Sequence, residues 1–197
     1  MVEAITKFLI MKISSQIIPE VLLIEPDVFS DERGFFLETA RKNLLQKYGI
    51  PELIQHNHSR SEYGVLRGLH YQLVNPQGKL VRCSRGEIFD VAVDIRLGSH
   101  SFSKWVGFFL DDINHRQLWI PPGFAHGFLV LSDVADVCYS CSSYYHPESE
   151  NGILWNDRQI NIGWPELSIN NVPKLSVKDK QFPLLKDQNQ DFLPSFI

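Results

Sequence analysis

Four short stretches of this chain concentrate side chains that can move protons or hold charge. Arg67-Gly68-Leu69-His70-Tyr71-Gln72 brings a cation, a titratable imidazole and an amide within six residues. An imidazole accepts a proton near neutrality with little help from its surroundings, because its reference pKa is about 6.5. Pro121-Pro122-Gly123-Phe124-Ala125-His126-Gly127-Phe128 sets His126 just after a tight turn among aromatic rings. Asp31-Glu32-Arg33-Gly34-Phe35-Phe36-Leu37-Glu38 is either a surface turn or a place that recognises anions and hydroxyls. Gln77-Gly78-Lys79 presents an ammonium at the edge of a strand. A metal reading exists as well. His56 and His58 share one strand face, with Glu62 and His126 as further ligand types, but His126 would have to converge on them.

Those residues need elements to carry them. Val21–Ile24, Val65–Leu73, Lys79–Ser84, Ile88–Ile95, Ser103–Leu110, Gln117–Ile120, Gly127–Leu131 and Asp136–Tyr144 are rich in β-branched and aromatic residues. Turn signals at Asn75-Pro76-Gln77-Gly78, Arg85-Gly86, Gly98-Ser99, Pro122-Gly123 and Ser132-Asp133 separate them. One helix is expected, capped by Thr39, striped by Leu44, Leu45 and Tyr48, and ended by Gly49. Many short strands with hardly any helix between them predict an antiparallel sandwich or barrel. Along 87–96, Phe89, Val91, Val93 and Ile95 share one face, and Asp90, Ala92, Asp94 and Arg96 share the other. A small barrel could turn such a mixed face inward as a pocket, but parity alone favours a polar face turned to water.

Composition removes other classes. With 19 Lys plus Arg against 23 Asp plus Glu, the net charge of -4 argues against nucleic acid or an anionic membrane as partner. The uncharged stretch 117–132 is too short to span a bilayer and contains two prolines and a histidine. No G-x-G-x-x-G, G-x-x-x-x-G-K-[ST] or G-x-S-x-G occurs. Residues 1–13 lack the apolar run of an export signal, and Met11 is an alternative start. Three cysteines without such a signal predict a reducing cytoplasm. Cys138 and Cys141 differ in strand parity, so they are expected to be structural rather than paired ligands.

Taken in order, Asp31-Glu32-Arg33-Gly34-Phe35, Gln55-x-Asn57-His58-Ser59-x-Ser61, Leu66-Arg67-Gly68-Leu69-His70 and Gln77-Gly78-Lys79-Leu80-Val81-Arg82 form the first half of a series. Phe89–Arg96, Ile120-Pro121-x-Gly123-Phe124-Ala125-His126-Gly127-Phe128 and Ile153-Leu154-Trp155-Asn156-Asp157 complete it. The series closely resembles the dTDP-4-dehydrorhamnose 3,5-epimerases, from about Ile18 to about Leu185. The resemblance implies an all-β, cupin-type double-stranded β-helix (jelly roll) with short peripheral helices. It would span 18–185, with an N-terminal extension at 1–17 and a C-terminal tail at 186–197. It also implies a homodimer without cofactor or metal, acting on dTDP-4-dehydro-6-deoxyglucose at C3 and C5 on the route to dTDP-L-rhamnose. His70 matches the family's general base and Tyr139 its proton donor. Lys79 matches the lysine facing the C4 oxygen, and Asp179 the carboxylate that orients the base. Nucleotide and sugar contacts carry over to Arg33, Glu38, Gln55, Asn57, Arg67, His126, Glu150 and Lys178. Phe35 or Tyr145 would pack on the pyrimidine. His56 stands where the family usually has Asp.

The chemistry explains these residue types. C3 and C5 both flank the C4 ketone, so loss of either proton gives an enolate, and inversion needs a base on one face and an acid on the other. Asp179 has a second reading as a helix-start cap, since Ser176-x-x-Asp179 has the capping-box form. Three other functions remain open. They are a 3-epimerase or ketoisomerase of a related sugar nucleotide, a metal-dependent cupin enzyme, and a non-catalytic sugar-nucleotide-binding jelly roll.

Overall fold

Alternation every second residue, broken by turn chemistry, gives the described residues thirteen strands and one short α-helix. The computed structural model describes residues 11–168 and 172–196. In chain order the strands are β1 (Lys12–Ser15), β2 (Leu22–Glu25), β3 (Val28–Asp31), β4 (Gly34–Leu37), β5 (Gln55–Glu62), β6 (Leu66–Gln72) and β7 (Lys79–Arg85). They continue with β8 (Glu87–Asp94), β9 (Trp105–Asp111), β10 (Gln117–Ile120), β11 (Phe124–Val130), β12 (Val134–Cys141) and β13 (Glu150–Gly152). The single α-helix among the described residues, α1, is Lys42–Lys47. One sheet runs β1-β2-β10-β7-β12-β5 and a second runs β13-β6-β11-β8-β9, while β3 and β4 form a separate hairpin. Every strand pair is antiparallel. Two such sheets face to face make the expected jelly roll.

The inward faces meet in a core of Val81, Cys83, Leu118, Ile120, Ala135 and Val137 from the first sheet. Ile88, Ala92, Val106, Leu110, Phe124, Phe128 and Val130 answer from the second. On β8 the mixed face lies on this inner side. Asp90, Ala92 and Asp94 are all fully buried, which corrects the expectation of a polar face in water. The opposite β8 face is buried too, because Ile153, Ile160, Leu185, Leu193 and Trp164 pack over Phe89, Val91 and Val93. With both faces covered, parity could not tell inside from outside. Asp94 is satisfied by Arg96, Ser99 and Ser101, so its buried charge is fully hydrogen-bonded.

α1 starts later than expected. Arg41 precedes it without a side-chain cap, and Thr39 instead offers its carbonyl to the Gln117 amide at 2.8 Å, outside the helix. Gly49, at φ +77°, does close it. Leu45 is buried over the outer side of the first sheet with Leu22, Leu80 and Trp119. The packed body also runs past both expected boundaries. Within the 1–17 extension, residues 1–10 lie outside the described residues, but Lys12–Ser15 pairs with β2. In the 186–197 tail, Leu193 is buried and Ser195 bridges Leu97.

Candidate active site

The core of the roll is apolar at one end of the inter-sheet space and polar at the other. The polar end is a cavity of about 350 Å³ whose walls include Gln55, Asn57, Arg67, His70, Lys79, His126, Tyr139, Tyr145 and Glu150. The two walls come from different sheets. Asn57, Lys79 and Tyr139 stand on β5, β7 and β12, while Arg67, His70 and His126 stand on β6 and β11.

Register explains the convergence. Arg67 and His70 are three apart and should point to opposite sides of a regular strand. Between them β6 carries one extra residue, since Phe128 pairs with Arg67 while His126 pairs with His70. That bulge restores parity and turns both side chains inward. It depends on close backbone approach. A Cβ at Gly68 would lie 2.6 Å from Gly127 Cα, and one at Gly127 would lie 2.9 Å from the Arg67 carbonyl.

His70 Nε2 is 2.7 Å from Asp179 Oδ1. With the carboxylate ionised, Nε2–H donates, leaving Nδ1 as the basic nitrogen. Burial works to raise the Asp179 pKa, but His70, the Ser176 hydroxyl and the Gly68 N–H together hold it below the ordinary carboxylate range. The capping reading also stands, because the Asp179 N–H donates to Ser176 Oγ at 3.0 Å. Phe182 meets the His70 ring edge-on at 5.6 Å. It has room there because Gly152, the residue paired with His70 across β13 and β6, has no Cβ to strike it at 2.3 Å.

Lys79 lies half-buried in the facing wall. Desolvation pushes its pKa down, against the pull of Cys141, Glu150 and Asp90, none of which bonds to it. Its ammonium is therefore free to serve an incoming oxygen. Tyr139 is also half-buried, and its phenol is pushed up by burial and by Cys141 and Glu150, against Arg67. It keeps its proton at neutral pH. Glu150 accepts from Tyr145 Oη at 2.9 Å and pairs with Lys178. Tyr145 N–H donates to Gln55 Oε1 at 2.8 Å, and the Gln55 amide donates to Asn57 Oδ1 at 3.1 Å, which ties the mouth of the cavity together.

Other expected residues lie elsewhere. Lys178 lines an adjoining depression, shared with Arg67, His70, Glu150 and Asp179, rather than the cavity itself. Arg33 is exposed and paired with Asp31, and Glu38 is held by Arg41, so this chain brings neither to its own cavity. Phe35 sits on the same hairpin, 60% exposed and in tilted ring contact with His115 at 4.5 Å. Gln72 is near the base, but its amide is consumed by the carbonyls of Val74, Asn75 and Tyr144. His56 and His58 point outward to Ser140 and Asp136, away from His126. Among the described residues no three His, Cys, Asp or Glu side chains are grouped to hold a metal. Cys83, Cys138 and Cys141 are free thiols.

Sequence reasoning quoted Ser59, Gln77 and Phe128 inside motifs without naming them as residues of the site, and it missed Phe182, which carries no chemical signature of its own. It also missed that Asp90, read only as part of a strand face, lies 2.7 Å from His126 Nε2.

Comparison with known proteins identifies the relatives of this chain. A model of the family described as dTDP-4-dehydrorhamnose 3,5-epimerase matches residues 15–187. The dTDP-4-dehydrorhamnose 3,5-epimerase of Salmonella typhimurium is 53% identical over 171 residues, covering 85% of this chain and 92% of that protein. The enzyme of that name from Neisseria gonorrhoeae is 54% identical over 86% of this chain, which spans about half (51%) of that longer protein. A dTDP-6-deoxy-D-glucose-3,5-epimerase of Legionella pneumophila, crystallised with dTDP-4-keto-L-rhamnose, superposes with a TM-score of 0.91. It is 49% identical and covers 95% of this chain and 100% of its own.

Proposed function

This chain belongs to the dTDP-4-dehydrorhamnose 3,5-epimerase family, and from that premise we propose that it inverts C3 and C5 of dTDP-4-dehydro-6-deoxy-D-glucose to give dTDP-4-dehydro-L-rhamnose. The observation that carries the reading is the arrangement of three groups around one cavity. His70 is on one sheet, and Tyr139 and Lys79 are on the sheet opposite.

His70 Nδ1 removes the proton next to the C4 ketone, and the electron pair moves into the ketone to form an enolate. Lys79 donates to the C4 oxygen as its negative charge develops, where a preorganised donor is worth about 3–4 kcal/mol. Tyr139 Oη then delivers a proton to the opposite face of the same carbon, completing inversion. His70 returns its proton to solvent and Tyr139 regains one before the second carbon reacts. Asp179 fixes the His70 tautomer and stabilises the imidazolium. Arg67 suits the diphosphate because a planar guanidinium binds phosphate oxygens in pairs. Tyr145 at the cavity mouth packs on the pyrimidine, with Gln55, Asn57, Glu150 and Lys178 around the nucleotide and sugar.

We further propose a homodimer in the cytoplasm. β3 and β4 leave Phe29, Phe35 and Phe36 between 41% and 64% exposed, an apolar hairpin that a single chain does not cover. A second copy would cover it and would let Arg33 and Glu38 reach a cavity that is not their own.

Incubation of the 4-keto sugar nucleotide with the protein in heavy water tests the activity. NMR is expected to follow deuterium into both C3 and C5, with inversion at each. Exchange at C3 alone would mark a 3-epimerase. Binding without exchange at either carbon would overturn the reading.

A further inference from the structure

Ser61 ends the motif Gln55-x-Asn57-x-Ser59-x-Ser61, whose other members line the cavity while Ser61 itself does not. It lies on the inward side of β5, only 6% exposed, opposite Ala135 of β12. Its Oγ accepts from Arg67 Nε at 3.1 Å, a bond that crosses from the first sheet to the second. Arg67 is exposed at a rim where three hollows meet. They are the main cavity, the depression beside Lys178, and an outer hollow lined by Arg60, Ser61, Glu62 and Val65. A long side chain at such a junction can lie in any of the three, and one bond fixes its choice.

The charge of the partner matters as much as its place. Arg33, Arg41, Arg60 and Arg96 give their guanidinium groups to Asp31, Glu38, Asp136 and Asp94 respectively. Such pairs are neutral and have little left for an anion. Arg67 is held by a hydroxyl, and among the described residues no carboxylate pairs with it. Glu62, in the same outer hollow, pairs with Lys174 at 3.6 Å instead. With Nε committed to Ser61, both Nη groups remain for a two-point grip on phosphate oxygens.

We propose that Ser61 is a positioning residue for recognition of the substrate diphosphate: it anchors the Arg67 fork through a neutral acceptor, so that the whole positive charge is kept for the phosphate oxygens. This deepens the epimerase reading and rests on it. The gain is one of preorganisation. A free arginine gives up rotamer freedom when it closes on a phosphate, and one already anchored at Nε has given up most of it beforehand. A carboxylate in place of Ser61 would anchor Arg67 as well and would cancel the charge that the phosphates need.

Ser61→Ala removes a single oxygen from this buried position. Ser61→Cys, similar in size and a weak acceptor, replaces it if the alanine variant does not fold. The probe is dTDP, titrated into each folded protein by calorimetry. Ordering one long side chain on binding costs about 2- to 12-fold in affinity, so Ser61→Ala is expected to weaken dTDP by that factor. In turnover the loss is expected in KM rather than kcat, because the diphosphate is held alike in substrate and transition state. In an Arg67→Met background, where Ser61 has nothing to hold, the same substitution is expected to leave dTDP affinity where Arg67→Met alone puts it. Unchanged dTDP affinity in Ser61→Ala, or an equal loss in both backgrounds, overturns the proposal. Wild type that binds no dTDP overturns both this and the epimerase reading. Wild type that binds dTDP but exchanges neither C3 nor C5 protons in heavy water overturns the epimerase reading alone, and the two-background comparison still decides the role of Ser61.

Discussion

Replacing Asp179 by Asn isolates the electrostatic part of the base's support. The variant keeps the volume and the backbone N–H that donates to Ser176 Oγ. It removes a charge 2.7 Å from His70 Nε2, at a carboxylate whose side chain is only 5% exposed. Hydrogen bonds to charged groups are worth about 1.5–3 kcal/mol, and the imidazolium formed on proton abstraction loses that amount. In rate this is about 10- to 150-fold on kcat/KM. The Asn amide adds a second effect. If its NH₂ turns to Nε2, the His70 proton moves to Nδ1 and the basic nitrogen is lost, so Asn should be worse than Ala. The assay is loss of C3 and C5 protons in heavy water under single-turnover conditions, with thermal midpoints measured alongside. A folded Asp179→Asn within threefold of wild type, or one faster than Asp179→Ala, would refute the assignment of Asp179 as the group that orients the base.

Tyr139→Phe should separate exchange from inversion. His70 still removes and returns protons on its own face, so deuterium enters C3 and C5 while inverted product falls by about 10²–10⁴-fold. Product formation equal to wild type would remove Tyr139 as donor. Lys79→Met is expected to lower kcat by about 10²–10³-fold in the same NMR assay, the usual cost of losing a single oxyanion donor. Gly127→Ala puts a methyl 2.9 Å from the Arg67 carbonyl and 3.2 Å from Gly68 Cα. It should cost about 1–3 kcal/mol, read as a lower thermal midpoint, and should lower turnover by spreading β6 from β11. Acid stability follows from depressed carboxylates. Asp136 is held at about 2 rather than 3.8, chiefly by the hydrogen bonds from Arg60. A lowered folded-state pKa stabilises above the unfolded value and is lost below it, so folding free energy should fall between pH 3.8 and about 2. Asp136→Asn should flatten part of that slope in acid titrations followed by circular dichroism.

How much of this was legible follows from what each residue must satisfy. Strand periodicity was readable wherever one face is apolar, as in β7 and β12. It failed at β5, Gln55–Glu62, where alternation is between polar residues facing the cavity and polar residues facing water. The hairpin β3–β4 was read only as a motif, because its apolar residues are exposed in this chain. His70, Lys79 and Tyr139 could be named from resemblance, but the bulge that turns Arg67 and His70 to one side lies in the pairing of β6 with β11. No pattern on β6 alone encodes it. Arg33 and Glu38 show the converse. Their motif is plain in the sequence, and the fold of one chain leaves them away from its cavity.

The division of one inner surface into an apolar and a polar end gives the chemistry its setting. On β7 the inward series is Lys79, Val81, Cys83. On β11 it is His126, Phe128, Val130, and on β12 it is Tyr139, Val137, Ala135. Each strand hands over from a functional group to the floor within a single two-residue step, so the reacting groups stand directly on a dry core. A dry floor strengthens the attraction between Lys79 and a developing enolate oxygen, since Coulomb energy scales inversely with dielectric. The same dryness disfavours the ammonium before substrate arrives. The two effects are inseparable. An enolate stabiliser built this way needs a fixed anion nearby that does not neutralise it by direct contact. Glu150 and Asp90 both pull toward the Lys79 ammonium without bonding to it, which leaves its hydrogen bonds for an incoming oxygen.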